Sequence, residues 1–212
     1  MEAYEIDGPQ AALRRIVLAS PLFGSILGRW DSIRLPDCWL SGSAIAQTAW
    51  NAAHGLASDH GLADIDLIYF DPDDLSPDGE ARQAARIRAL LDDLPVPVDV
   101  KNEARVHLWY AEKFGYSIAP YRSSEHAVTT FPTTAGAVAI RPGAAGLSIF
   151  APFGLSDLLG GIVRPNKAQI TRAIYEAKVR RWRGCWPGLT IIDWQDAGDP
   201  AASAAAGPAS GR

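Results

Sequence analysis

The chain has 212 residues, 48% of them hydrophobic and 21% charged, so it is an ordinary globular sequence long enough to bury a sizeable core. A net charge of −4 excludes bulk attraction to nucleic acid, and two cysteines exclude a disulfide framework or a cysteine-built zinc centre. The acidic opening "MEAYEIDGPQ" has no apolar run of a signal peptide, and no stretch is long and apolar enough to span a bilayer. The expectation is a cytoplasmic protein with Cys38 and Cys185 as buried free thiols.

In chain order, "GPQAALRRIVLASPLFGSILGRW" predicts two short helices broken at Ser20-Pro21, where proline can open the second. Trp39 and Leu40 read as the end of a short strand. Ser41-Gly42-Ser43 then forms a turn, and Ala44 to Ala53 a helix ended near Gly55. "ADIDLIYF" is a strand followed by the acidic loop "DPDDLSPDGE", which lacks the glycine and final glutamate spacing of a calcium-binding EF-hand loop. Ser76 caps "EARQAARIRALLDDL", "PVPVDVKN" is a strand, and "EARVHLWYAEKFG" a helix with Val106, Trp109, Tyr110 and Phe114 on one face. A short capped helix in "SSEHAVTTFP", two strands in "AGAVAI" and "LSIFAPFG", a longer helix over "PNKAQITRAIYEAKVRRWRG" and a last strand in "LTIIDW" complete the pass. The domain reading is N-terminal helices over 1–36 packed on a core domain of 37–195, with a disordered tail over 196–212. The class is α/β (α+β), with one central mixed sheet and flanking helices.

The chemistry gathers around three acids. Side chains alternate along a strand, so Asp64 and Asp66 share one face, which continues as apolar Ile68 and Phe70. A strand polar only at its beginning suits carboxylates emerging at a sheet end. Two like charges so close repel unless a cation sits between them, and hard oxygen donors suit magnesium or manganese. Asp99, flanked by valines on another strand, supplies a third carboxylate. For any one aspartate a turn cap or a surface acid is the alternative. Glycine at Gly42 lets backbone approach a ligand, and amides at the start of the following helix, near Ser43, point at an anion. The alternative is a plain strand-to-helix turn capped by Ser43.

"LSGSAIAQTAWN", "ADIDLIYFDPDD", "VDVKNEARVHLWYAEKFG", "APFGLSDL" and "VRPNK", in that order from about Leu40 to Trp194, resemble a bacterial nucleotidyltransferase-like family of unknown substrate within the polymerase-β-type nucleotidyltransferase superfamily. The resemblance implies that Gly42 and Ser43 contact a nucleoside triphosphate. It implies that Asp64 and Asp66 bind metal, and that Asp99 completes the acid set and helps deprotonate or position an attacking hydroxyl. The interval from Ser43 to Asp64 is longer than most of the superfamily shows.

Lys101, Asn102 and Arg105 follow Asp99 and could reach phosphates or the acceptor, with a surface helix position as the other reading of Arg105. His107 and His126 lie on helices, and His107 is one turn from Glu103, with which it could pair. The basic cluster from Lys178 to Arg183 could touch a polyanion, but the plainer reading is a helix end complementing its dipole. The expected function is transfer of a nucleoside monophosphate from a nucleoside triphosphate to an acceptor hydroxyl, assisted by Mg2+ or Mn2+. The acceptor, whether small molecule, protein or RNA, is open, and no membrane partner is expected. The rival is a nucleotide- or metal-binding regulatory module of the same fold without turnover.

Overall fold

The computed structural model describes residues 8–144 and 146–197. The chain opens with α1 (Gly8–Ala19) and α2 (Pro21–Gly28), which bend by 85° at the Ser20-Pro21 break, as the proline predicts, and a single turn, α3 (Trp30–Ile33). Then come β1 (Trp39–Ser41), α4 (Ser43–His54), β2 (Ile65–Tyr69), α5 (Pro77–Leu90) and β3 (Val98–Asn102). A 3-10 turn, Glu103–Arg105, leads into α6 (Val106–Phe114), followed by α7 (Ser124–Val128), β4 (Ala139–Gly143) and β5 (Gly146–Phe150). The chain finishes with α8 (Ser156–Leu159), β6 (Ile162–Val163), α9 (Arg172–Cys185) and β7 (Thr190–Ile191). The cap at Ser76 holds, its Oγ accepting from the Gly79 amide at 3.0 Å.

Five strands form a mixed sheet in the order β3-β2-β1-β4-β5. β2 and β3 run parallel, joined through α5, while β1 is antiparallel to both β2 and β4. The register puts Asp66 beside Asp99 on one side and Ser41 on the other. Ile65, Leu67, Val98 and Val100 point into the main core, shared with Leu13, Val17, Phe23 and Ile26 of the first helices and Ile45 and Trp50 of α4. The N-terminal helices thus bury their apolar faces in the same core as the sheet. Period-two alternation then obliges Asp66, Ile68, Asp99 and Lys101 onto the opposite face.

Four expectations need correction. The strand expected over "AGAVAI" covers only its last two residues, because Thr133 holds the Gly136 and Ala137 amides in a turn, and β4 instead runs on to Gly143. The long helix begins at Arg172, not at Pro165, because Asn166 pins the preceding segment as a loop. Its Nδ2 donates to the carbonyls of Thr129 (2.7 Å) and Phe131 (2.9 Å), while its Oδ1 accepts from the Ala168 amide. The last strand does not join the central sheet: β7 pairs in parallel with β6 as a separate two-stranded sheet. Finally, His107 Nδ1 is buried without a hydrogen-bond partner in the structure, so Glu103 does not satisfy it. The two cysteines are free, Cys38 buried and Cys185 half-buried. The expected tail lies almost wholly outside the described residues. Of its first two residues Ala197 is buried, its carbonyl accepting from Lys167 Nζ at 2.7 Å.

Candidate active site

A cleft of about 180 Å3 opens where β1 ends and β2 begins. Gly42 and Ser43 form one wall, Asp66, Lys101 and Glu103 a second, Phe131, Thr133 and Gly136 a third, and Lys178 reaches in from α9. Of the residues expected from the sequence, the structure therefore brings Gly42, Ser43, Asp66 and Lys101 together.

The turn at Gly42 is built for close approach. Its φ of 82° and ψ of −161° belong to a region that essentially only glycine occupies. A Cβ there would lie 2.6 Å from Asp66 Oδ2, so the missing side chain is what allows the carboxylate to rest against the backbone. The long interval between Ser43 and Asp64 therefore does not separate the turn from Asp66, while Asp64 and Asp99 lie outside the lining of the cleft. Ser43 is the first residue of the twelve-residue α4, and Gly42 offers no side chain to cap it. The first amides of a helix have no partner within it, and they carry the positive end of its dipole.

Asp66 is half-buried, and burial, with the charge of Asp64 next, pushes its carboxyl up to about 7. Lys178 pulls in the other direction and Asp99 adds to the rise. Asp99, its register neighbour, leans toward cations: Lys101 Nζ lies 3.4 Å and Arg88 Nη2 3.6 Å from its Oδ1. Asp64 is exposed, one residue ahead of β2 rather than on it. Among the described residues no three His, Cys, Asp or Glu side chains are gathered into a ready-made metal cage. The donor chemistry nevertheless fits a hard divalent cation, because Asp64 and Asp99 both add like charge to Asp66 that Lys178 and Lys101 offset only in part, the situation a cation relieves.

Asn102 and Arg105 are placed elsewhere. Asn102 is fully buried, its Oδ1 accepting from the amides of Asp71 (3.0 Å) and Ala104 (3.1 Å) and its Nδ2 donating to the carbonyls of Asp71 and Asp74. Arg105 donates to Glu80 Oε1 at 2.7 Å and to the Leu75 carbonyl. Both side chains tie the acidic loop after β2 and the start of α5 to the end of β3, and neither lines the cleft.

Two residues in the cleft were missed as site residues. Glu103 is buried, and burial together with the nearby Asp66 raises its carboxyl to about 8. Lys178 has its pKa lowered by burial, with Asp66 opposing that shift, and its Nζ sits 4.8 Å from the Trp182 ring centroid. The helix-end reading of Lys178 does not describe it: the side chain faces the acids. No local pattern could have said so, because the placement comes from packing. Trp182 and Trp186 of the α9 region stack edge-on against Trp50 of α4 at 5.1 and 5.5 Å. Trp186 Nε1 donates to Asn51 Oδ1 at 2.7 Å, and Gly61, at φ 69°, leaves room for the Trp186 ring that a Cβ would strike at 2.6 Å.

This arrangement of a glycine turn opening a helix against an acidic strand agrees with the sequence comparison, in which a nucleotidyltransferase family model matches residues 28–191. The chain belongs to this nucleotidyltransferase family. Its fold is similar to a solved NMR structure described as revealing a CCA-adding enzyme head domain, with 24% identity, a TM-score of 0.70, and coverage of 85% of this chain and 94% of that one. At that identity the likeness speaks for the nucleotidyltransferase fold. Among curated proteins none matches the chain. No single helix among the described residues is long and apolar enough to cross a membrane.

Proposed function

We propose that the protein transfers a nucleoside monophosphate from a nucleoside triphosphate to an acceptor hydroxyl, in the cytoplasm. The observation that carries this reading is the contact between the Gly42 backbone and the Asp66 carboxylate, which sets an anion-binding helix start beside an acid that calls for a cation. The amides near Ser43 bind the phosphate chain, and Lys101 and Lys178 offset its charge. A divalent cation, magnesium or manganese, would be held by Asp64, Asp66 and Asp99, and would screen the phosphate oxygens and acidify the attacking hydroxyl. The hydroxyl oxygen bonds to the α-phosphorus as the bond from that phosphorus to its bridging oxygen breaks. Pyrophosphate departs with the electron pair, and Asp99 takes the hydroxyl proton.

Incubation with each α-labelled nucleoside triphosphate, magnesium and cell extract tests the proposal. Wild-type protein is expected to transfer label and release pyrophosphate, and the Asp66→Asn protein to do neither. Triphosphate binding with no label transfer and no pyrophosphate release for any nucleotide would instead establish a binding module.

A further inference from the structure

The cleft wall holds two acids, Asp66 and Glu103, and the proposed transfer gives a task only to the first. Glu103 is 6% exposed, and among the described residues no hydrogen bond or ion pair reaches its carboxyl group. Its oxygens are not sealed within the fold. Polar atoms that are fully enclosed and without a partner occur at Ser41, Gln47 and His107 but not at Glu103, and the open space that Glu103 lines is the cleft. A buried carboxyl without a partner is costly, and one in the wall of a cavity finds its missing partner in whatever fills the cavity.

The strand register says which part of a substrate that is. Asp66 pairs with Asp99 near the start of β3 and with Ser41 next to the Gly42 turn, whereas Glu103 follows Asn102 at the other end of β3. Ile68 lies between them in the register, and Phe131 and Pro132 add apolar wall. At about 180 Å3 the cleft is smaller than sites that enclose a whole ligand, roughly 300–1,000 Å3, so it takes only part of a nucleotide. With the phosphates at the Gly42 turn, the part next in line is the sugar. Its hydroxyls donate, and a carboxyl oxygen accepts from them whether the group is ionised or neutral. A further anionic group at this end would meet the like charge of Glu103.

We infer that Glu103 is a specificity residue that accepts a hydrogen bond from the ribose 2′-hydroxyl of the bound nucleotide, so that the site takes ribonucleoside triphosphates and rejects their deoxy counterparts. The inference rests on the nucleotide reading of the cleft. A site with a buried acceptor for a hydroxyl discriminates strongly against the analogue that lacks it, because the acceptor is then left unpaired.

The test is calorimetric titration of the full chain with magnesium and no acceptor, setting each of ATP, GTP, CTP and UTP against its 2′-deoxy counterpart. For whichever base binds, wild type is expected to hold the ribonucleotide about tenfold more tightly or better. Glu103→Leu fills similar space without an acceptor, so it is expected to lose that preference by weakening the ribonucleotide and sparing the deoxynucleotide. Glu103→Ala serves the same purpose if the leucine is not accommodated, and Glu103→Gln, which keeps one acceptor oxygen, is expected to retain part of the preference. Equal affinity for the two sugars in wild type, or a preference that survives in Glu103→Leu, would overturn the inference and leave the transfer reading standing. No binding of any triphosphate to wild type would overturn both.

Discussion

Asp66 is raised by burial and by two neighbouring acids, which gives its ionisation a definite cost in the metal-free protein. The folded state holds the proton more tightly than the unfolded state, in which a carboxyl titrates near ~4. Between that value and about 7 the folded protein therefore binds more protons, and stability falls as pH rises through the window. Glu103, raised to about 8, has the same sign and extends the fall upward. In chelator, the unfolding midpoint of wild type is expected to decline from about pH 5 to about pH 8, flattening at the acid end as pH drops below the unfolded-state value. Asp66→Asn removes one of the two contributions, so its decline should be shallower, and at pH 7 it should be at least as stable as wild type. A steeper loss in the variant would make Asp66 a structural partner of Lys178 instead. At this scale the sequence was informative where the chemistry is local. Gly42 beside Ser43 and the Asp64-x-Asp66 spacing can be read directly. Asn102 and Arg105 lie near Asp99 in sequence, but their hydrogen bonds face the loop after β2, and nothing in a linear reading shows which way a buried amide points.

The elements locate the parts that sequence could not. α9 delivers Lys178 to the acids only because its tryptophans lock against α4, so the two indoles offer a contrast. Trp186 Nε1 donates to the buried Asn51, whereas Trp182 Nε1 is buried without a partner. Trp186→Phe leaves Asn51 Oδ1 without that bond, a penalty of about 1–3 kcal/mol on top of the lost packing. Trp182→Phe sacrifices packing and weakens the ring contact with Lys178, but breaks no hydrogen bond. Urea unfolding is expected to find the Trp186 variant less stable by that margin, and equal losses would show that the hydrogen bond contributes nothing. β2, β3 and most helices were legible because alternation and caps are encoded within each segment, as at Ser76 and in Ile65 to Tyr69, whereas β4 was placed too early. The start of α9 was not, because Asn166 overrides a helical pattern by reaching backbone carbonyls more than thirty positions away. The pairing of β6 with β7 was illegible for a similar reason: two-residue strands carry almost no periodic signal.

For the whole molecule, the expected cation and the fold should be thermodynamically linked. A ligand that binds only the folded state stabilises it by about 2.7 kcal/mol at a hundredfold excess over its Kd. Magnesium is expected to raise the unfolding midpoint of wild type, more so with a triphosphate, and to leave Asp66→Asn nearly unmoved. Equal shifts in both proteins would place the ion's effect outside the acidic cleft. The order of strands in the central sheet has a separate consequence for how the molecule is made. Among the described strands β1 leaves the ribosome first and ends in the middle of the sheet, with β2 and then β3 added on one side, and β4 and then β5 on the other. Each new strand meets an edge already waiting for it, and none has to wedge between two partners. The same order leaves one edge of β1 uncovered until Ala139 has been synthesised, a long interval in which backbone donors and acceptors are open to a neighbouring nascent chain. Translation through the stretch between β3 and β4 is thus the stage at which this protein is most exposed to chaperone capture or to aggregation on a crowded polysome.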